Sequence, residues 1–146
     1  MKRAREGGFL IAKIHHLSGR IFDRLLKERG ITAINAAQGR ILFALWQRDG
    51  MSITELAAKT SLEKSTLSAM LERLVRAGHL ARAASGEDGR KTIITRTKKD
   101  RAMQQAYEEV SRDMTALFYR GFSEKEIGEF EGYLARILET LRTHRG

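Results

Sequence analysis

"ITELAAKTSLEKSTLSAMLERLVRAGHL", residues 53–80, is the stretch that decides the fold. Ile53, Leu56 and Ala57 recur at helical spacing and give a short first helix one apolar face. Leu67, Leu71 and Leu74 do the same for a second helix over about Glu63 to Ala77, which Gly78 closes. Ser52 and Glu55 precede the first helix at the spacing of a reciprocal capping box, predicting a helix from there to about Thr60. Beyond Gly78 the period changes. "HLARAAS" (79–85) and "RKTIITRT" (90–97) flank a glycine-bracketed turn and read as the two strands of a hairpin. Two short helices around a tight turn, followed by a two-stranded hairpin, make a winged helix-turn-helix.

Outward from that centre the chain reads as helix. Leu10, Ile14, Leu17, Ile21 and Leu25 predict one helix over about 8–29, ended by Gly30. Asn35 and Gln38 open another, with Gly50 expected to stop it and a very short strand expected at Met51 to Ile53. After the hairpin, Thr97 caps a helix with Asp100 at its third position and a stripe of Met103, Ala106, Tyr107, Val110, Met114 and Leu117. Ser123 and Glu126 open the last helix, striped by Ile127, Phe130, Leu134, Ile137 and Leu141. The expected class is mainly α with a small β wing. The 146 residues suit one domain or two small lobes sharing a core, and the absence of proline favours long helices.

Composition narrows the chemistry. With no cysteine, disulfides, thiolate metal sites and thiol redox sensing are excluded. The longest apolar run, Ile41 to Trp46, is far short of a membrane span, and the N-terminal apolar stretch is too brief for a signal peptide, so a cytoplasmic location is expected. The formal net charge is +9, and the excess is uneven: +6 over residues 1–50, +4 over 51–100 and −1 over 101–146. A polyanionic partner is expected, with nucleic acid ahead of an acidic membrane surface.

The first turn of the second helix of the pair carries Lys64, Ser65, Thr66 and Ser68, which suit base edges and phosphates in a major groove. The hairpin tip, "SGEDGRK" (85–91), places Asp88 beside Arg90 and Lys91. Arg90 is expected to enter the minor groove, with Asp88 aiming its guanidinium through a charge-assisted hydrogen bond. The alternative for that tip is a solvated turn with a weak surface ion pair.

Residues from about Gln38 to Arg101 resemble the MarR (multiple-antibiotic-resistance regulator) family of bacterial transcription factors. The resemblance is carried by "AQGRILFALW", by residues 53–82, by Leu71 to Leu80 in the pattern LxRLxxxGxL, and by Asp88-x-Arg90 followed by "TIITRT". It implies a homodimer in which the first and last helices of two subunits interlace and each winged domain reads one half-site. Residues 1–34 and 101–146 would then form the α-helical dimerisation region, with Leu10, Ile14, Ile127, Phe130, Leu134, Ile137 and Leu141 at the interface. Residues 35–100 would form the DNA-binding domain. A symmetric dimer predicts a pseudo-palindromic operator with half-sites about one DNA turn apart.

The resemblance also implies a small anionic aromatic ligand held between the dimerisation helices and the winged domain, with His15, His16, Arg20, Phe22, Arg40 and Trp46 as its candidate pocket. For Trp46 the alternative is a place in the core. Three positions depart from the family pattern. Ala69 stands where many members have an arginine, Asp100 where glycine is usual, and Arg96 in place of a leucine, where it is expected to face solvent or phosphate.

No metal or other cofactor is expected. His15 and His16 are adjacent and point to different helix faces. P-loop, GxSxG, HExxH and dinucleotide-turn motifs are all missing, so an enzyme is not expected. The expected function is a sequence-specific double-stranded DNA-binding regulator, a ligand-responsive homodimeric repressor. The alternatives are a non-specific architectural nucleic-acid binder and a binder of anionic membrane surfaces. RNA binding is disfavoured because residues 47–106 hold no aromatic residue on which bases could stack.

Overall fold

The computed structural model describes residues 4–32, 34–85 and 91–144. In chain order the elements are α1 (Gly7–Glu28), α2 (Ala36–Gln47), β1 (Met51–Ser52), α3 (Ile53–Thr60), α4 (Lys64–Arg76), β2 (Leu80–Ala84), β3 (Thr92–Arg96), α5 (Lys98–Phe118) and α6 (Glu124–Thr143). The mainly helical fold with a small antiparallel sheet is the one expected. Its three strands lie in the order β1-β3-β2, with Met51 paired to Ile94 and Arg82 paired to the same residue from the other side. By packing, the chain divides into two compact units, Met1–Arg112 and Asp113–Gly146, with the boundary inside α5.

Local chemistry sets the helix ends. Asn35/Gln38, Ser52/Glu55 and Ser123/Glu126 each form a complete capping box, so α2, α3 and α6 begin where their sequences place them. α1 and α4 end in the same way. Gly30 (φ 76°) and Gly78 (φ 85°) are left-handed, and the residue after each donates its N–H back to Leu26 O and Leu74 O, respectively. Gly50 does not end α2, which stops at Gln47; its φ of 72° instead turns the chain into β1. Ser61 holds a left-handed conformation (φ 58°) between α3 and α4, a place where glycine would be unstrained.

In the first unit the core is continuous. Leu26 of α1, Ile41, Leu42 and Leu45 of α2, Leu56 of α3 and Leu67, Leu71 and Leu74 of α4 are fully buried, together with Leu80, Ile94 and Val110. Tyr107 closes one side, edge-on to Phe22 (5.4 Å) and to Trp46 (4.9 Å). Its hydroxyl sits so close to Gly39 that a Cβ on that residue would lie 1.7 Å from it, so any side chain there must displace Tyr107. Burial, with Asp23 as a smaller cause, holds the Tyr107 phenol well above its ordinary range.

The second unit is built differently. Phe118, Tyr119, Phe122 and Phe130 cluster where α5 turns into α6, and the Tyr119 hydroxyl donates to Glu131 at 2.7 Å. No residue of α6 is buried, and Ile137, Leu138 and Leu141 are largely exposed.

Candidate nucleic-acid interface

α4 presents the anticipated recognition residues. Its inner face is anchored by Leu67, Leu71 and Leu74, which leaves Lys64, Ser65, Thr66 and Ser68 exposed on its first turns. Glu63 stands at the N-cap without a side-chain cap, and acidic residues are absent from the first turn. The open backbone N–H groups and positive end of the helix dipole therefore lie beside Lys64. The far end is fastened: Thr97 Oγ1 donates to Gly78 O (2.6 Å), and Lys99 Nζ donates to Ala77 O (2.7 Å). Thr97 also accepts from the Asp100 N–H, so the expected cap of α5 is present.

Ser65 and Ala69 open an outward stripe of α4 whose later members, Glu72 and Arg76, the sequence reading did not name. Ser65, Ala69, Glu72 and Arg76 recur at steps of four, three and four on the side away from the leucines, all exposed. Arg76 is paired with Glu72 at 2.6 Å, and exposed Arg73 lies beside them. Helical spacing from the buried leucines would have found these residues.

The hairpin rises from the sheet next to α4. Ser85 N donates to Lys91 O (2.9 Å) at the last described rung, and Arg82 of β2 and Lys91 are exposed. Asp88 and Arg90, expected at the tip, lie outside the described residues.

The six residues proposed for a ligand pocket are spread out. His15, His16 and Arg20 are exposed on α1, while Arg40 is exposed on α2 and directs Nη1 toward Thr60 O (3.4 Å). Phe22 and Trp46 meet through Tyr107. Trp46 alone of the six lines an open cleft of about 420 Å³ between α2 and α5, with Phe43, Gln47, Gln104, Glu108, Ser111 and Arg112. Phe43 is 56% exposed there, and Arg112 makes no ion pair among the described residues. Trp46 also packs against the core, the alternative expected for it. A second cavity, of about 320 Å³, is lined by Asp23, Lys27, Ile31, Thr32, Ile34, Asn35 and Gln38, and contains none of the six.

Arg96 corrects an expectation. It faces neither solvent nor phosphate: its side chain is 12% exposed and its Nε donates to fully buried Asp100 at 2.6 Å. Trp46 Nε1 donates to the same carboxylate oxygen (3.0 Å), and Arg96 Nη2 donates to Gln104. A charge at position 96 points inward because its counter-charge is buried there. Nearby, buried His79 has no hydrogen-bond partner for Nδ1 among the described residues. Burial holds its pKa below 6.5, Lys99 adds to the lowering, and Asp100 opposes it. Among the described residues no three His, Asp or Glu side chains converge to hold a metal ion, and no helix is long and apolar enough to cross a membrane.

Comparison with known proteins agrees with this arrangement. Residues 34–92, which run from just before α2 to the first residue of β3, match the model of the MarR family. The chain is 31% identical over 96 residues to the HTH-type transcriptional regulator TtmR of Methylorubrum extorquens, an alignment spanning 66% of this chain and 48% of that one. It therefore spans about half the length of that relative. It is 24% identical to the HTH-type transcriptional repressor IacR of Pseudomonas putida, over 92% of this chain and 79% of that one. The fold superposes on Bordetella bronchiseptica BpsR, a structure described as showing regulation of its DNA binding by 6-hydroxynicotinic acid. That match has a TM-score of 0.79 and 20% identity, and covers 99% of this chain and 100% of the other. Over residues 34–92, less than half of its length, the chain is thus similar to the MarR family.

Proposed function

We propose that this chain is a sequence-specific double-stranded DNA-binding transcriptional regulator, acting as a homodimeric repressor whose DNA affinity is lowered by a small anionic aromatic ligand. The observation that carries the reading is α4: one face is locked into the core by three fully buried leucines, and the opposite face and open N-terminus display Lys64, Ser65, Thr66 and Ser68. In this reading α4 enters the major groove, Arg90 reaches the minor groove with Asp88 aiming it, and Lys91 contacts phosphate. The relatives named as a regulator and a repressor support it.

The dimer would form through Leu10 and Ile14 of α1 and Ile127, Phe130, Leu134, Ile137 and Leu141 of α6. It would cover apolar surface that each chain leaves open. The ligand would enter the cleft at Trp46, its ring against Phe43 and Trp46 and its anion on Arg112. BpsR, whose DNA binding is described as regulated by an aromatic acid, supports this class.

Selection of binding sites from a random duplex pool at near-physiological salt tests the reading. A two-fold symmetric motif, with half-sites about one turn apart, is the expected result. Bound DNA without an enriched motif would mean a non-specific architectural binder. Absence of DNA binding, with retention on anionic vesicles, would mean a membrane-surface binder.

A further inference from the structure

A buried ion pair sits where three elements meet. Asp100 belongs to the first turn of α5, Arg96 ends β3, and Trp46 lies near the end of α2. The Asp100 carboxylate accepts from Arg96 Nε and Trp46 Nε1, and the guanidinium lies 5.9 Å from the centroid of the Trp46 ring. The backbone N–H of Arg96 donates to Asp49 Oδ1 (3.0 Å), just beyond α2. Both the main chain and the side chain of the last β3 residue are therefore held from α2 and α5.

Stability alone does not account for such a pair, because well-packed apolar residues in its place are often as stable or more so. What it supplies is geometry. Two of its partners, Trp46 and Gln104, also form the wall of the 420 Å³ cleft. β3, in turn, is the central strand of the sheet and the return strand of the wing. We propose that Arg96 and Asp100 are a positioning pair through which occupation of the Trp46 cleft and placement of the wing strand β3 are coupled. The inference rests on the DNA-regulator reading above. A ring pressing on Trp46, or an acceptor taking the Gln104 amide, disturbs the partners of the guanidinium and so the end of β3. Because coupling between two binding events is reciprocal, DNA held by the wing is felt at Trp46.

That reciprocity gives a test without an effector, since Trp46 is the only tryptophan of the chain. Binding of the selected duplex is followed by anisotropy of labelled DNA, and Trp46 emission is recorded on the same samples. Wild type is expected to change its emission as the duplex saturates. Arg96→Leu/Asp100→Ala, which removes both charges together and so avoids a lone buried ion, should lose that change and bind the duplex roughly fivefold or more weakly. Arg96→Lys keeps the charge without the planar fork and should show a reduced emission change. It also serves if the double variant fails to melt cooperatively.

Wild-type emission that stays constant while the duplex binds would overturn the pairing role alone. So would variants that keep both the emission change and the affinity. Failure of wild type to bind any duplex would remove the regulator reading, and the role of the pair with it.

Discussion

α4 and α6 carry the same kind of apolar repeat and meet opposite fates. Leu67, Leu71 and Leu74 are wholly buried, whereas Ile137, Leu138 and Leu141 are 46, 53 and 68% exposed. The difference lies in the surroundings. α4 is followed by a sheet and faces α3 within one compact unit, while α6 sits in a unit of 34 residues with little of its own to bury against. An apolar stripe states that a helix has a face to cover; it does not state which chain covers it. The exposed Phe9, Leu10, Ile11, Ile14 and Leu17 of α1 repeat the lesson and fit the proposed homodimer.

Truncation of equivalent leucines should break the symmetry most clearly. Leu71→Ala is expected to cost about 2–5 kcal/mol in urea unfolding because it leaves a cavity in a closed core. Leu138→Asp with Leu141→Asp should instead act on association, moving the sedimenting species from dimer toward monomer. A dimer that survives this change would mean that the α6 stripe serves another partner. Next in size, Gly39→Ala should destabilise by about 1–3 kcal/mol, since the Tyr107 hydroxyl must move out of its place in the first unit.

A matched pair of cap deletions sharpens the comparison further. Ser52→Ala and Ser123→Ala each remove a capping box, at about 1 kcal/mol of local helix stability. If α6 is ordered by the dimer, the second loss should grow on dilution, as hydrogen exchange would reveal. The smallest effect is pH-linked. His79 binds its proton less readily folded than unfolded, so its contribution is complete above pH 6.5 and declines as pH falls below that value. Denaturation midpoints should decrease from pH 7 toward pH 5, and the slope should flatten in His79→Gln.

The helix starts were legible because they are local: Asn35, Ser52, Thr97 and Ser123 each announce themselves within four residues. α4 was legible for the same reason, its leucines giving the inward face directly. Arg96 was not. Its direction depends on Asp100 and Trp46, and the latter lies fifty residues away in sequence, so no periodicity around Arg96 could have shown it. The cleft was hardly legible: of the six pocket candidates only Trp46 lines it, and Gln104, Ser111 and Arg112 come from another helix that only the packing of α2 against α5 brings near. Gly39 looked like an ordinary helical glycine until Tyr107 was placed beside it.

The contact between Gly39 and Tyr107 also constrains how this chain can change over generations. Position 39 gains a side chain at lower cost once position 107 has shed its hydroxyl and part of its ring, while shrinking position 107 alone leaves a cavity. The two substitutions are thus not additive. Descendants that change one of these positions should tolerate change at the other more readily, a coupling imposed by 1.7 Å.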